Sequence, residues 1–554
     1  MREIDRLTTE RYGIPSLTLM ENAAEATART VVDCLAGNAS GKGVLVICGK
    51  GNNGGDGAAA ARLLAMAGAR VDVVLMGLVD DTKGDARENF ERLQSWNDSQ
   101  TDAAGGVLNL FECNSEKGWQ QLLESVLSTS PDAVVDALFG TGLTREIEGL
   151  YLEPIKYLLH IREQRDQSPI AGPAIISVDL PSGLNSDSSQ LNGAAVCADV
   201  TVTMTAPKRA NVMPPAAHLN GRLIVVSIGS PADLINEADT DLFSVEAGDA
   251  RKWLISTRYT PESYKNRHGH ALVIAGSRGF TGAAALCANA AMRAGAGLVT
   301  AATPASVQPL VASQVMAEVM TTALAETDRG AVSDDALDYA LRFAERAQVV
   351  AIGPGLSAED ERTGWFVRQM VEKRKTALVI DADGLNCLSP WPSEMRGSKQ
   401  FPLVLTPHPG EMLRLLGQSD KSLLDDPVTI ARTFATAHEV ILVLKGSRTI
   451  IAAPDGRVFI NSTGNAGLGT AGAGDTLTGV ITGFLAQAYG NLKGEADALQ
   501  AVVAAVYTSG LAGDLAARQL GMRAMTASDI REHLSEAFCL LDPTGEMPSR
   551  FDVR

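Results

Sequence analysis

The stretch Asn461-Ser-Thr-Gly-Asn-Ala-Gly-Leu-Gly-Thr-Ala-Gly-Ala-Gly-Asp475 decides how this chain is read. An apolar run over residues 457–460 precedes it and reads as a strand. Five glycines fall between Gly464 and Gly474, too many for the interior of a helix or strand. Beyond Asp475, the residues Leu477, Val480, Ile481, Phe484 and Leu485 take up helical spacing. The passage is therefore strand, glycine loop and helix, with the first helical turn near Gly472. Unpartnered backbone N–H groups and the positive end of the helix dipole meet there, which makes a site for an anion. A carboxylate among those amides would repel a phosphate unless it took part in the chemistry. Asp475 is thus the candidate base beside a phosphoryl group. The plainer reading, an aspartate that caps the helix, leaves the glycine density unexplained.

Ahead of the loop the same order recurs. A strand at residues 270–275 leads through Gly276-Ser-Arg-Gly-Phe-Thr-Gly282 into a helix at 283–294. Val349-Val-Ala-Ile-Gly-Pro-Gly355 and Ala377-Leu-Val-Ile-Asp-Ala-Asp383 end in turns of the same kind. Leu403-Val-Leu-Thr-Pro-His-Pro-Gly-Glu411 places Glu411 and a proline-flanked, rigidly presented His408 after a strand. Lys445, at the end of the strand opening Val440-Ile-Leu-Val-Leu-Lys445, suits a nucleotide phosphate. Asp381 and Asp383 read equally well as turn caps or as groups holding a substrate or Mg²⁺.

In the other direction, residues 1–36 read as helical, with Leu17, Leu19, Met20, Ala23 and Ala24 on a buried side and Glu21 and Asn22 as solvated or capping residues. Val44-Leu-Val-Ile-Cys48 is a continuous apolar run suited to a buried parallel strand. Gly49-Lys-Gly-Asn-Asn-Gly-Gly-Asp-Gly57 follows, then a helix over 58–67. The loop is neither Gly-x-Gly-x-x-Gly nor a P-loop, but Asn52, Asn53 and Asp56 packed with Gly54 and Gly55 point to a ligand site rather than a simple turn. Further strands at 71–76, 133–138, 174–179, 200–205 and 223–228, with helices at 119–127 and 150–162 between them, predict a Rossmann-like, doubly wound and mostly parallel α/β sheet. Its ligand crevice lies beyond the carboxyl ends of the strands. There stand Asp136, ahead of Phe139-Gly140-Thr141-Gly142-Leu143, Asp179, ahead of Leu180-Pro-Ser182-Gly183, and Lys208. Asp56, Asp136 and Asp179 together need a cation or a proton to offset them, and oxygen donors from Asn, Asp and Ser suit an alkali or alkaline-earth ion.

A chain of 554 residues holds two or more domains. The acidic, aperiodic stretch 229–247 reads as the linker between domains at 1–235 and 245–554. A net charge of -17 argues against a nucleic-acid or membrane-surface binder. Seven scattered cysteines with no Cys-x-x-Cys indicate neither a zinc site nor a disulfide framework. No signal peptide and no membrane-spanning apolar run is expected, since Arg293 interrupts the longest small-residue stretch, and the expected location is the cytoplasm.

Gly-Ala-Gly-Asp at the start of a helix resembles the ribokinase-like kinases. The longer string from Gly464 to Asp475 resembles the ADP-dependent NAD(P)HX dehydratases within that superfamily, a likeness covering roughly residues 250–540. The motifs of roughly residues 1–230, together with Arg2-Glu-Ile-Asp-Arg6 and Met20-Glu-Asn22, resemble the NAD(P)HX epimerases. The resemblance implies a C-terminal ribokinase-like α/β domain and an enzyme that epimerises R- and S-NADHX and NADPHX and dehydrates the S form with ADP. It implies that Asn52, Asn53, Gly54, Gly55, Asp56, Gly140, Thr141, Gly142 and Leu143 hold the dinucleotide, that Asp179 contacts the reacting ring, and that Asn53, Asp136 and Ser182 bind potassium. For the second domain it implies hydrated-dinucleotide contacts from Ala283, Gly355, His408 and Asp475, contacts to the AMP moiety from Lys445, Gly446, Ser447, Arg448, Thr449 and Gly474, and Mg²⁺ with the nucleotide. The expected partners are these small molecules, in a homo-oligomer. One alternative is a ribokinase-like small-molecule kinase with a stable phosphorylated product. The other is an N-terminal domain that serves only as a nucleotide-binding or scaffold module.

Overall fold

Val44, Val46 and Cys48 belong to one buried apolar cluster and Leu45 and Ile47 to another, so the strand β1 (Gly43–Cys48) is dry on both faces and apolar throughout. It is an interior strand of a seven-stranded sheet with β2 (Arg70–Leu75), β3 (Leu108–Glu112), β4 (Ala133–Ala137), β5 (Ala174–Val178), β6 (Val200–Met204) and β7 (Arg222–Val226), all parallel, in the order β3-β2-β1-β4-β5-β6-β7. The order reverses between β1 and β4, and in such sheets a ligand crevice opens there, beyond the carboxyl ends. The doubly wound parallel sheet is as the sequence predicts. The coordinates are a computed structural model that describes residues 1–99, 107–127, 130–167, 172–238, 240–492 and 496–543. The chain divides into two units, Met1–Asp239 and Thr240–Arg554.

In the second unit, a ten-stranded mixed sheet runs β11-β10-β9-β12-β13-β14-β15-β16-β17-β8. Its strands are β8 (Leu242–Val245), β9 (His270–Ile274), β10 (Leu298–Pro304), β11 (Met320–Leu324), β12 (Val349–Ile352), β13 (Ala377–Ile380), β14 (Leu403–Leu405), β15 (Ile441–Leu444), β16 (Ile450–Ala452) and β17 (Val458–Asn461). From β11 to β15 neighbours are parallel, so their carboxyl ends share one edge. The glycine loop leaves β17 and feeds the helix Ala473–Gln487, whose buried residues are apolar or threonine apart from Gln487 at its end. That helix lies directly on Thr281–Arg293: a side chain on Gly479 would meet the Cys287 carbonyl, and one on Gly483 would fall 2.8 Å from Ala294 Cβ.

Four expectations change. The N-terminal helical stretch is two helices, Arg2–Tyr12 and Ser16–Cys34, because Gly13 turns left-handed (φ 69) ahead of Pro15. The helix expected at 58–67 starts at Asn52, so Asn52 to Gly57 form its first turns. Gly54 is there because its backbone presses on the Gly49 carbonyl. The stretch read as linker is structured: Ala232–Asn236 is helical and β8 pairs in parallel with β17. Finally, Ala498–Leu520 is long and apolar enough by length and composition to cross a membrane. Fifteen of its residues, from Leu499 to Ala516, are buried in the core of the second unit, which explains why it is apolar nearly all round.

Candidate active sites

In the first unit a cleft of about 590 Å³ lies over the β1/β4 crevice and is lined by Asn52, Asn53, Asp56, Gly140, Thr141, Gly142, Asp179 and Lys208, among others. That volume is within the range of small-molecule sites. The Asn52–Met66 helix starts at the cleft with no side-chain cap on its first amides, an arrangement that suits an anion. Gly54 and Gly55 are buried beneath it, and Leu143 packs on an apolar cluster, so none of these three reaches the cleft. Asp179 ends β5 with φ 66, a conformation aspartate tolerates better than most residues. Its Oδ1 accepts from Lys208 Nζ and from Thr203 Oγ1 at 3.2 Å. Lys208 is buried and also donates to Thr203 Oγ1 at 2.9 Å and Met204 O at 3.0 Å. The other carboxylate oxygen, Oδ2, points toward Gly140. A side chain at Gly140 would fall 2.9 Å from Asn53 Oδ1 and 3.1 Å from that Oδ2, so only glycine leaves room between them.

The three carboxylates are compensated separately. Asp179 has Lys208. Burial first, and then the charge of Asp179, push Asp56 well above the usual carboxylate range and favour its neutral form. Asp136 is fully buried, and burial pushes it up despite bonds from Ser182 N at 2.8 Å, Ser177 Oγ at 2.7 Å and the Ser182 hydroxyl. Ser182 Oγ also accepts from Phe139 N at 3.0 Å, which ties β4 and β5 ends together. Asn53 Nδ2 is buried without a partner. Arg2 and Asp5 also line the cleft, although periodicity gave them no role. Glu21 and Asn22 are half-buried and bonded: both oxygens of the Glu21 carboxylate accept from Arg62 at 2.7 Å, and Asn22 donates to Ile228 O at 2.7 Å.

In the second unit, Gly472 (φ 82) is the N-cap of the helix Ala473–Gln487, so Asp475 sits in its first turn and is not the cap. Burial first, then the charge of Asp381, push the Asp475 carboxyl up to about 6, with Lys445 opposing. Asp381 is buried at the end of β13, its Oδ1 on Lys445 Nζ at 2.8 Å and its Oδ2 on Thr478 Oγ1 at 2.7 Å. Lys445 Nζ is also 3.9 Å from Glu411. A side chain at Gly474 would lie 3.2 Å from Lys445 Nζ, so the loop's last glycine, Lys445, Asp381 and Asp475 form one cluster. His408 caps Pro409–Leu415: its Nδ1 accepts from Gly410 N at 3.0 Å and Glu411 N at 3.3 Å, which leaves Nε2 as the protonated nitrogen, 3.5 Å from Glu411 Oε1. Ala283 and Gly355 meet further along the same edge, 3.0 Å apart if Gly355 carried a Cβ. Ser357 N donates to Asp383 Oδ2 at 2.9 Å, joining the β12 and β13 turns. Gly446 and Ser447 are exposed; Arg448 and Thr449 are half-buried, with Arg448 Nη1 on Ser462 O at 2.8 Å.

Comparison with known proteins follows this division. Residues 16–210 match the family model described as YjeF-related protein N-terminus, and residues 271–536 match the model described as NAD(P)H-hydrate dehydratase. The bifunctional NAD(P)H-hydrate repair enzyme Nnr of Moorella thermoacetica is 41% identical over 536 residues, covering 96% of this chain and 94% of that protein. The enzyme of the same name from Escherichia coli is 31% identical over 531 residues, covering 96% and 91%. A solved structure of the ADP/ATP-dependent NAD(P)H-hydrate dehydratase from Bacillus subtilis, co-crystallized with ATP/Mg²⁺, aligns at 29% identity over 54% of this chain and 98% of that chain, with a TM-score of 0.46.

Proposed function

This chain belongs to the bifunctional NAD(P)H-hydrate repair enzymes, and we propose that its first unit epimerises NAD(P)HX while its second dehydrates the S epimer with ADP. The observation that carries this is the pairing, in one chain, of two strand-to-helix anion sites, each with a carboxylate at its mouth: Asp179 in the first and Asp475 in the second.

Hydrated NAD(P)H carries a hydroxyl at C6 of its reduced ring. In the first unit the ring nitrogen expels that oxygen as water, and water returns on either face. Asp179 Oδ2, across Gly140, moves the proton at that oxygen, and Lys208 fixes the carboxylate through its other oxygen. Potassium suits the local donors: Asp136 is buried among neutral partners only, and Asn53 and Ser182 bring oxygen atoms to the same loop. Those three residues would hold it, and when bound it supplies positive charge beside Asp136.

In the second unit Asp475 takes the C6 hydroxyl proton while ADP gives that oxygen its terminal phosphoryl group, leaving AMP. The ring nitrogen then expels phosphate, and loss of a C5 proton restores NAD(P)H. Amides of the loop up to Gly474, with Lys445 beside them, offset the charge on the transferring group. Residues Lys445 to Thr449 flank the AMP moiety. Both Asp381 oxygens are occupied, and among the described residues no three His, Cys, Asp or Glu side chains gather as metal ligands. Mg²⁺ would accompany the nucleotide phosphates, where it supplies positive charge to the transferring group.

The test is ultraviolet recovery of reduced cofactor from a mixed sample of both NADHX epimers, with ADP and ATP compared. Full recovery with release of inorganic phosphate is expected. Phosphate that stays on the dinucleotide would instead make the protein a kinase, and recovery of only half the sample would deny the epimerase.

A further inference from the structure

We propose that Asp381 is a positioning residue for the chemistry of Asp475: it clamps Lys445 and the first turns of the helix Ala473–Gln487 while facing Asp475 with a fixed negative charge. This rests on the dehydratase reading above.

The clamp is visible in the bonds. One Asp381 oxygen holds Lys445 Nζ at 2.8 Å, and the other holds Thr478 Oγ1 at 2.7 Å, one turn along the helix from Asp475. The helix start packs close to both groups: a Cβ on Gly474 would sit 3.2 Å from Lys445 Nζ, a tight contact, and 3.8 Å from Asp381 Oδ2, an ordinary one. Asp381 therefore fixes both a cation at the phosphoryl site and the turn that carries the base. Burial alone would raise its carboxyl, but the charge of Lys445 and the bonds from Lys445 and Thr478 outweigh burial and hold it below the usual range. Burial would likewise lower Lys445, and Asp381 and Glu411 keep it above its ordinary value. Both stay charged. Around Asp475 stand Asp383 from the helix Asp383–Cys387, Glu411 from Pro409–Leu415, Lys445 from the end of β15, the Cys287 thiol from Thr281–Arg293, and Asp381. After burial, Asp381 is the largest influence on Asp475, and it favours the protonated form.

The sign of the test follows. Asp475 must be ionised to accept a proton, so the rate falls as pH drops through about 6. Asp381→Asn removes a neighbouring anion and leaves Lys445 unopposed, and both changes favour ionised Asp475. In the full-length protein, the acid limb of kcat/KM for S-NADHX should move about one pH unit lower. At neutral pH kcat should fall roughly tenfold or more as Lys445 and the helix turn lose their anchor. Asp381→Glu keeps the charge and shifts it by one methylene, so its acid limb should stay with the wild type while kcat falls. An acid limb for folded Asp381→Asn that coincides with wild type overturns the proposal, as does one for Asp381→Glu that moves as far. If Asp381→Asn does not fold, Asp381→Glu decides alone: a limb in place with lowered kcat supports the proposal, and a shifted limb or an unchanged kcat overturns it. Failure of the underlying reading looks different, since the wild-type protein would then not dehydrate S-NADHX at all.

Discussion

Asp475 works only when ionised, yet burial and Asp381 push its carboxyl to about 6. A base near its working pH gives up little driving force when it takes a proton. Dehydration should therefore fail on the acid side near pH 6, where a carboxylate at its ordinary 3.8 would still act. A profile of kcat/KM against pH reads this directly. Asp475→Asn keeps the shape and should cost ~10²–10⁴-fold in dehydration, with nucleotide binding retained in a titration. Asp179→Asn is the counterpart in the first unit. It should leave R-NADHX unrepaired beyond its spontaneous epimerisation while S-NADHX is dehydrated at the normal rate, as chiral separation of the residual epimers would show. Replacing potassium with a bulky organic cation should weaken the same half-reaction. Equal slowing of both epimers would refute the division of labour.

The contact between the helices Ala473–Gln487 and Thr281–Arg293 depends on the absence of side chains at Gly479 and Gly483. Gly479→Ala would drive a methyl into the Cys287 carbonyl and should destabilise the second unit by about 1–3 kcal/mol, read as a lowered midpoint in urea. Dehydration should suffer too, because Asp475 rides on that helix, whereas epimerisation should not. Much at this level could be read from the chain alone. Central strands such as β1 and β12 are buried on both faces and announce themselves as apolar runs. Missing from the sequence reading are β3 and β11, edge strands that alternate or are half-exposed, and also β10, which is buried but rich in Thr and Ala. The site divided the same way. Asp475 and its glycines are contiguous, so their chemistry is local and readable. Lys208 reaches Asp179 across 29 positions and Lys445 reaches Asp381 across 64, and no local pattern records such pairs. The capping role of His408 is not legible in sequence, because it needs the helix Pro409–Leu415 to exist first.

The boundary between the two units is a matter of one strand. Sequence composition suggests a cut anywhere in an aperiodic stretch, but β8 belongs to the second sheet, with Val245 buried and Phe243 stacked on Phe459 at 5.3 Å. A fragment Thr240–Arg554 should fold alone and dehydrate S-NADHX. One beginning at Ala247 forfeits about 2–3 kcal/mol of that contact and should melt several degrees lower in calorimetry. Equal midpoints would show that β8 is dispensable. The same strand has a consequence for biosynthesis. β8 is among the first parts of its unit to leave the ribosome, whereas β17 follows some two hundred residues later. Until then, one margin of the sheet has no neighbour and the glycine loop does not exist. Any translation product that stops short of Val458 is thus born without a phosphoryl site and with an unpaired strand available to the next nascent chain, a substrate for chaperones and proteases rather than a slower enzyme.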